Sequence, residues 1–317
     1  MGLIVDGKWV DQWYDTEKSK GEFVRQESRF RHQISQDKDN PYQPEKDRYH
    51  LYVSLACPWA HRTLIFRTLK KLEPYISVSV VEPIMLENGW ELGEKGDPLY
   101  QLDYMYQLYL KAASDYQGRV TVPVLWDKKT QTIVNNESVD IIRMFNSAFN
   151  HLTGDQQDFY PDALRSNIDT VNERIYHGVN NGVYRAGFAT TQDAYEQAYN
   201  ELFDCLEWLE HELAHKRYLL GDVITEADWR LFTTLVRFDP VYHGHFKCNK
   251  KKISEYPNIS GYLRELYQVD GIKDTVDYDH IKIHYYMSHI TINPTQIVPL
   301  GGIENLSLPH QRDKNHQ

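Results

Sequence analysis

The sequence predicts an α/β domain followed by an all-α domain. Three observations predict it. Residues 49–149 alternate strand-like and helix-like patterns in the order β-α-β-loop-β-β-α. Beyond a polar join at 151–158 the periodicity is helical. The length of 317 residues suits about two domains of ordinary size.

Each element has its own warrant. Residues 1–47 are polar, mixed in charge and poor in periodicity, so they read as an extension; Trp9, Trp13, Phe23 and Phe30 let parts of it dock. Residues 49–53 read as a strand, 54–59 as a loop, Pro58 to about Leu72 as an amphipathic helix, and the β-branched run 76–81 as a second strand. The right-handed crossover rule makes those strands parallel. Residues 82–118, with Gly89, Gly93, Gly96 and Pro98, read as a long irregular loop. Residues 120–126 and 131–134, split by Asp127-Lys128-Lys129-Thr130, read as a hairpin, and Glu137 to about Phe149 as a helix. That order is the thioredoxin-type half-barrel.

In the second half, residues 194–215 carry one apolar stripe: Tyr195, Tyr199, Leu202, Leu206, Leu209 and Leu213. Thr225 and Asp228 are spaced as a capping box, with Ile224 and Trp229 spaced as its hydrophobic staple. Prolines and glycines beyond Ile290 predict an extended tail. The expected domains are therefore an extension over 1–47, a thioredoxin-like domain over 48–151 and a helical domain over 152–317.

Composition excludes several function classes. The formal charge is -10, from 45 acidic and 35 basic side chains, and no basic run has interleaved aromatics. Both argue against a nucleic-acid binder. No stretch approaches the ~18 apolar residues of a membrane span, and the first residues lack the basic-then-apolar layout of a secretion signal. Three cysteines, Cys57, Cys205 and Cys248, fit a reducing compartment, so a cytoplasmic location is expected.

The chemistry centres on Cys57. Proline suits the first helical position, so Cys57-Pro58 predicts Cys57 at a helix N-cap. There it faces free backbone N–H groups and the positive end of the helix dipole. That setting favours thiolate and lowers the thiol pKa, as a nucleophile requires. A dithiol oxidoreductase would carry a second cysteine three residues on; that position is Ala60. A mixed disulfide at Cys57 must then be cleared by an external thiol, and glutathione is the abundant candidate.

Val122-Pro123 opens the hairpin, where a cis proline would leave the Val122 backbone to pair with an extended peptide. Glu137-Ser138 begins a helix and reads either as plain N-capping or as a pair for a carboxylate and an ammonium group. Arg119 and Trp90 lie in or beside the loop. One further motif, His211-Glu212-Leu213-Ala214-His215, matches the zinc-protease pattern. Its histidines fall roughly 200° and 240° from Leu209, on the polar face, so no metal site is expected.

These residues in order resemble the Xi class of glutathione transferases, the S-glutathionyl-hydroquinone reductases. The resemblance runs from about Gly21 to Leu300. It is carried by Cys57-Pro58-Trp59-Ala60-His61-Arg62, by residues 118–126 and by Asn135-Asn136-Glu137-Ser138. In the second half it is carried by residues 182–189, 225–232 and 237–239, and by His284-Tyr285-Tyr286. The resemblance implies the two-domain transferase fold, a homodimer and removal of glutathione from S-glutathionyl-hydroquinones through a mixed disulfide on Cys57. It implies that Trp90, Arg119, Val120, Thr121, Val122, Glu137 and Ser138 hold glutathione. It makes Tyr184 the proton donor and acceptor at the aromatic substrate, with Tyr242 and Tyr285 lining that site and helping to activate the cysteine. The class often has a proline at the last place of the motif that here reads Val298-Pro299-Leu300-Gly301-Gly302. An omega-like thiol transferase or dehydroascorbate reductase would share Cys57 but not need Tyr184. A non-catalytic transferase-like scaffold would need neither.

Overall fold

The computed structural model describes residues 2–94 and 96–314. The first residues are not only an extension. β1 (Leu3–Val5) and β2 (Lys8–Val10) form a hairpin, and β1 also pairs antiparallel with β5 (Gly118–Arg119). The turn is Asp6-Gly7, with φ of 48° and 72°. Two positive φ values in a two-residue loop are what the right-handed twist of a hairpin demands, and Asp-Gly supplies them readily. Trp9 anchors the hairpin by stacking on Tyr106 at 5.3 Å and donating its indole N–H to the Glu87 carbonyl.

The main sheet has the order β4-β3-β6-β7. β3 (Tyr49–Val53) pairs parallel with β4 (Ile76–Val80) and antiparallel with β6 (Val124–Asp127), which pairs antiparallel with β7 (Thr132–Asn135). With neighbours on both edges, all five residues of β3 are buried. The β6–β7 turn is closed by Asp127, whose carboxylate accepts from Lys129 N at 2.9 Å and Thr130 Oγ1 at 2.7 Å. The same carboxylate takes a bidentate pair from buried Arg48 at 2.9 and 2.6 Å, tying the start of β3 to the end of β6. α1 (Pro58–Leu69) connects β3 to β4 and packs against α3 (Ser138–Ser147). The long segment after β4 contains a helix that the sequence reading missed, α2 (Met105–Ala112), followed by β5. It buries only Met105, Leu108 and Tyr109, too short a stripe to stand out from a loop.

The chain forms two compact units. One comprises Met1–Trp13, Gln26–Gln157 and Asp279–Gln296; the other Tyr14–Arg25, Asp158–Tyr278 and Ile297–Gln317. This differs from a division at residues 47 and 151 in two respects. Part of the extension belongs to the helical unit, held by Thr190 N donating to the Gly21 carbonyl at 3.0 Å. Residues 279–296 belong to the sheet-containing unit, where His284 Nδ1 lies 2.8 Å from the Pro83 carbonyl.

In the helical unit the spine is α7 (Gln192–His215). Its buried stripe runs through Ala194, Ala198, Leu202, Leu206, Leu209 and Leu213. Tyr195 and Tyr199 are only half-buried, a small rotation from the expected face: the Tyr195 hydroxyl reaches out to the Lys247 carbonyl, while alanine fills the inner positions. α8 (Glu226–Arg237) is buried along its whole length and starts at the expected capping box. The Asp228 carboxylate accepts from Thr225 N, Thr225 Oγ1, Leu219 N and Tyr262 OH. The tail lacks long regular elements, and buried Arg312 donates to Glu265 and to the Lys216 and Arg217 carbonyls at the end of α7.

His50 sits in the centre of the sheet. Its two ring nitrogens meet the Ser77 and Ser79 hydroxyls at 2.7 and 2.9 Å, and burial pushes its pKa down to about 4. A group that resists protonation in the folded state stabilises the fold above its unfolded pKa. That contribution is lost as pH falls from about 6.5 toward 4. The expected loss from His50 is about 2 kcal/mol between pH 7 and pH 5. A His50→Gln variant, which cannot charge, should show a correspondingly shallower loss in urea unfolding; equal pH slopes in the two proteins would refute this.

Candidate active site

Cys57 follows the buried strand β3 and caps α1. Its backbone is extended (φ -75°, ψ 119°) and Pro58 occupies the first helical position. The Cys57 N–H donates to the Ser54 carbonyl, and its carbonyl accepts the first helical bond, from His61 N. The half-buried thiol lies 3.6 Å from the Val122 carbonyl, to which it donates. The next peptide bond, Val122-Pro123, is cis. Cys205 and Cys248 are in a different situation. Both are buried, and burial raises their pKa values, that of Cys205 to about 11. Of the three thiols, only Cys57 joins partial exposure to a helix N-terminus.

The segment 119–123 is held in place by Tyr109, a residue that the sequence reading did not single out. The Tyr109 hydroxyl donates to the Thr121 carbonyl at 2.8 Å and accepts from Thr121 N and from Asn136 Nδ2. This buried phenol therefore ties the backbone beside Val122 to the turn that carries Glu137 and Ser138. Its partners come from two later loops, so only the apolar spacing of α2 could have drawn attention to it. Arg119 is half-buried and donates to the Gln12 carbonyl, while its own carbonyl accepts from Tyr116 OH at 2.7 Å. Val120 and Val122 are buried and Thr121 half-buried.

Glu137 is the N-cap of α3, and its carboxylate accepts from Val139 N, Ser138 Oγ and Ser28 Oγ at 3.2–3.4 Å. Behind this corner Arg62 of α1, fully buried, places its guanidinium 4.4 Å from the Trp59 ring and donates to Ser138 Oγ at 3.4 Å. Arg62 ends the motif Cys57-Pro58-Trp59-Ala60-His61-Arg62. A cation on a helix that is otherwise buried was the available signal. The arrangement sets a thiol, an open strand-like backbone and a helix N-terminus with a carboxylate and a hydroxyl on one domain. Those are the parts needed to hold a short peptide with a free carboxylate and ammonium group.

The remaining residues divide between the two units. Trp90 is buried and stacks on His284 at 4.9 Å, within the sheet-containing unit. Tyr285 belongs there too, on α10 (Tyr278–Ser288), with its ring edge-on to His284 and His289. Tyr184 and Tyr242 lie in the helical unit. Tyr184 is on α6 (Gly182–Gly187) and Tyr242 ends a π-helical turn, Phe238–Tyr242; their ring centroids are 6.0 Å apart. Phe188 and Phe246 complete an aromatic cluster around them. His211 and His215 lie in the last turns of α7, with the His211 side chain 74% exposed. His215 Nδ1 is turned back to the His211 carbonyl at 2.9 Å.

Comparison with known proteins agrees with this architecture. The family model for the glutathione S-transferase N-terminal domain matches residues 56–148, and that for the C-terminal domain matches residues 192–265. The chain is 57% identical to glutathionyl-hydroquinone reductase YqjG of Escherichia coli K12, covering 99% of both chains. It is 51% identical to glutathionyl-hydroquinone reductase PcpF of Sphingobium chlorophenolicum, over 96% of this chain and 98% of that one. The glutathione-bound YqjG structure superposes with a TM-score of 0.87, covering 90% of this chain and 96% of that one. The Xi-class transferase of Natrialba magadii superposes with a TM-score of 0.92 at 48% identity, over 99% and 97% of the two chains. The chain belongs to the glutathione S-transferase family, within its Xi class.

Proposed function

We propose that this chain is a glutathionyl-hydroquinone reductase, which strips glutathione from S-glutathionyl-hydroquinones and releases hydroquinone and glutathione disulfide. The observation that carries the reading is Cys57: a lone thiol at the N-terminus of α1, beside the Val122 carbonyl, in a chain 57% identical to a reductase of that name. Glutathione lies extended along Val120–Val122, with its γ-glutamyl end at Glu137 and Ser138 and further contacts from Arg119 and Trp90. The helix N-terminus favours thiolate over thiol. Tyr242 and Tyr285 support that activation.

The reaction has two halves. The Cys57 thiolate attacks the glutathione sulfur of the thioether. The carbon–sulfur electron pair stays with the ring carbon, which takes a proton from the Tyr184 hydroxyl, and a Cys57–glutathione disulfide forms. A second glutathione thiolate then attacks the glutathione sulfur of that disulfide, releasing glutathione disulfide and the Cys57 thiolate. Because position 60 is alanine, no thiol on α1 can compete with this external attack. Glutathione thus enters once as the ring substituent of the substrate and once as the free co-substrate, and the sum is one thioether plus one glutathione giving one hydroquinone plus one glutathione disulfide.

We also propose a cytoplasmic homodimer. No described helix is long and apolar enough to cross a membrane, and the three thiols suit a reducing compartment. Exposed tail residues Ile297 and Leu300 in the helical unit would be covered by a partner. Light scattering that returned the mass of one chain would remove the dimer.

Turnover of glutathionyl-menadiol with glutathione, followed as free hydroquinone, tests the activity. Cys57→Ala should abolish it and Cys205→Ala should leave it largely intact; activity in the first variant, or no turnover by the unaltered chain on several ring systems, would sink the assignment. Tyr109→Phe removes the hydroxyl that orders Thr121 and Asn136. It should cost about 1–3 kcal/mol of stability and raise the KM for glutathione, and an unchanged KM would count against the role given to residues 119–122.

A further inference from the structure

The segment Tyr14–Arg25 is a strap on the helical unit, and it brings a cation to the aromatic cluster. Its fixing point is Gly21. The Gly21 carbonyl accepts from Thr190 N at 3.0 Å, and the Lys20 carbonyl accepts from Thr191 Oγ1 at 3.2 Å. Gly21 has φ +91°, and a Cβ there would come 2.4 Å from Thr191 Oγ1, so the strap runs closer to Thr191 than any other residue type allows. Two residues on, Phe23 is buried between Tyr14 and Phe188 and lies 6.3 Å from the Tyr184 ring in a near-parallel stack. Arg25 follows. Its guanidinium carbon is 5.3 Å from the centroid of Tyr184 and 5.8 Å from that of Phe23. Both distances are within cation–π range.

We infer that Arg25 is a positioning residue for the aryl half of the reaction. The inference rests on the role proposed above for Tyr184. When Tyr184 gives its proton to the ring carbon, the phenol becomes a phenolate, and a cation held over the ring favours the charged product over the neutral phenol. The proton comes back from solvent or from a hydroquinone hydroxyl, so the guanidinium is unchanged at the end of the cycle. The strap thus does more than cover surface: it delivers a fixed positive charge to the one group whose charge changes in the helical unit. Arg25 acts through Tyr184 and forms no bond to the reacting atoms.

The test compares Arg25→Met, which keeps an apolar stem against Phe23 and Tyr184, with Arg25→Lys, which keeps the charge. With glutathionyl-menadiol and glutathione, Arg25→Met should lower kcat about three- to thirty-fold, with KM for glutathionyl-menadiol changed less than about twofold. Arg25→Lys should recover a large part of kcat. In a Tyr184→Phe background, Arg25→Met should cause no further loss. Unchanged kcat in Arg25→Met, equal losses in the Met and Lys variants, or the same additional loss without the Tyr184 hydroxyl would each overturn the inference. No hydroquinone release by the unaltered chain would instead overturn the proposed function, and this inference with it.

Discussion

An α-helix leaves its first backbone N–H groups without partners inside the helix. In α1 the first position is a proline, which has no N–H, and the residue before it presents a sulfur rather than an oxygen. The positive end of the helix dipole is therefore next to a thiol rather than a capping hydroxyl, and the thiol makes its own contact to the Val122 carbonyl. Placing that thiol depends on what precedes and faces it. β3 is buried between two neighbours, so it delivers Cys57 to one fixed point at its end. The segment 119–123 faces it, and Tyr109 keeps that segment in register with the N-terminus of α3. Two helix N-termini and one extended backbone are thereby brought to a single domain by the sheet order β4-β3-β6-β7.

Three buried polar groups around this frame are held by different devices. Arg48 and Asp127 form a bidentate pair across the start of β3 and the end of β6. His50 keeps its place by staying neutral between two serine hydroxyls on the neighbouring strand. Arg62 rests on the Trp59 ring and reaches Ser138. An uncompensated charge in the same positions would cost several kcal/mol, so these pairs restrict which sequences can build the site even though none of them touches Cys57 sulfur chemistry.

Most of the architecture was legible because the signals were local. A strand followed by Cys57-Pro58, a hairpin around Asp127, and an N-cap at Thr225 each declare themselves within a few residues. Cys57, Val122, Glu137 and Ser138 stood out for the same reason: their chemistry comes from where they lie relative to helix ends and a proline. The hairpin of β1 and β2 had its signal too, in Asp6-Gly7, but its strands are three residues long and their partner β5 lies over a hundred residues away. Tyr109 and Arg25 were not legible. Each matters through contacts to residues distant in sequence, and nothing about a tyrosine in a short helix or an arginine in a polar segment distinguishes it beforehand.

The two tyrosines of the helical unit show why periodicity alone fails at such sites. Tyr242 closes a π-helical turn, and Tyr184 comes four residues after another, Tyr176–Asn180. A π turn inserts an extra residue and shifts every later side chain around the axis by about 100° relative to the regular pattern. The second irregularity requires its own support. Asn180, buried, donates from Nδ2 to the Arg230 carbonyl at 3.1 Å and to Thr234 Oγ1 at 2.8 Å, bracing the bulge against α8. The consequence for Tyr184 is directional. With a regular helix through 176–180 its ring, together with Phe188 one turn on, would be turned away from Tyr242 and Phe246. The aromatic cluster, and the cation that the strap sets over it, therefore depend on a backbone deformation that no hydrophobic pattern records.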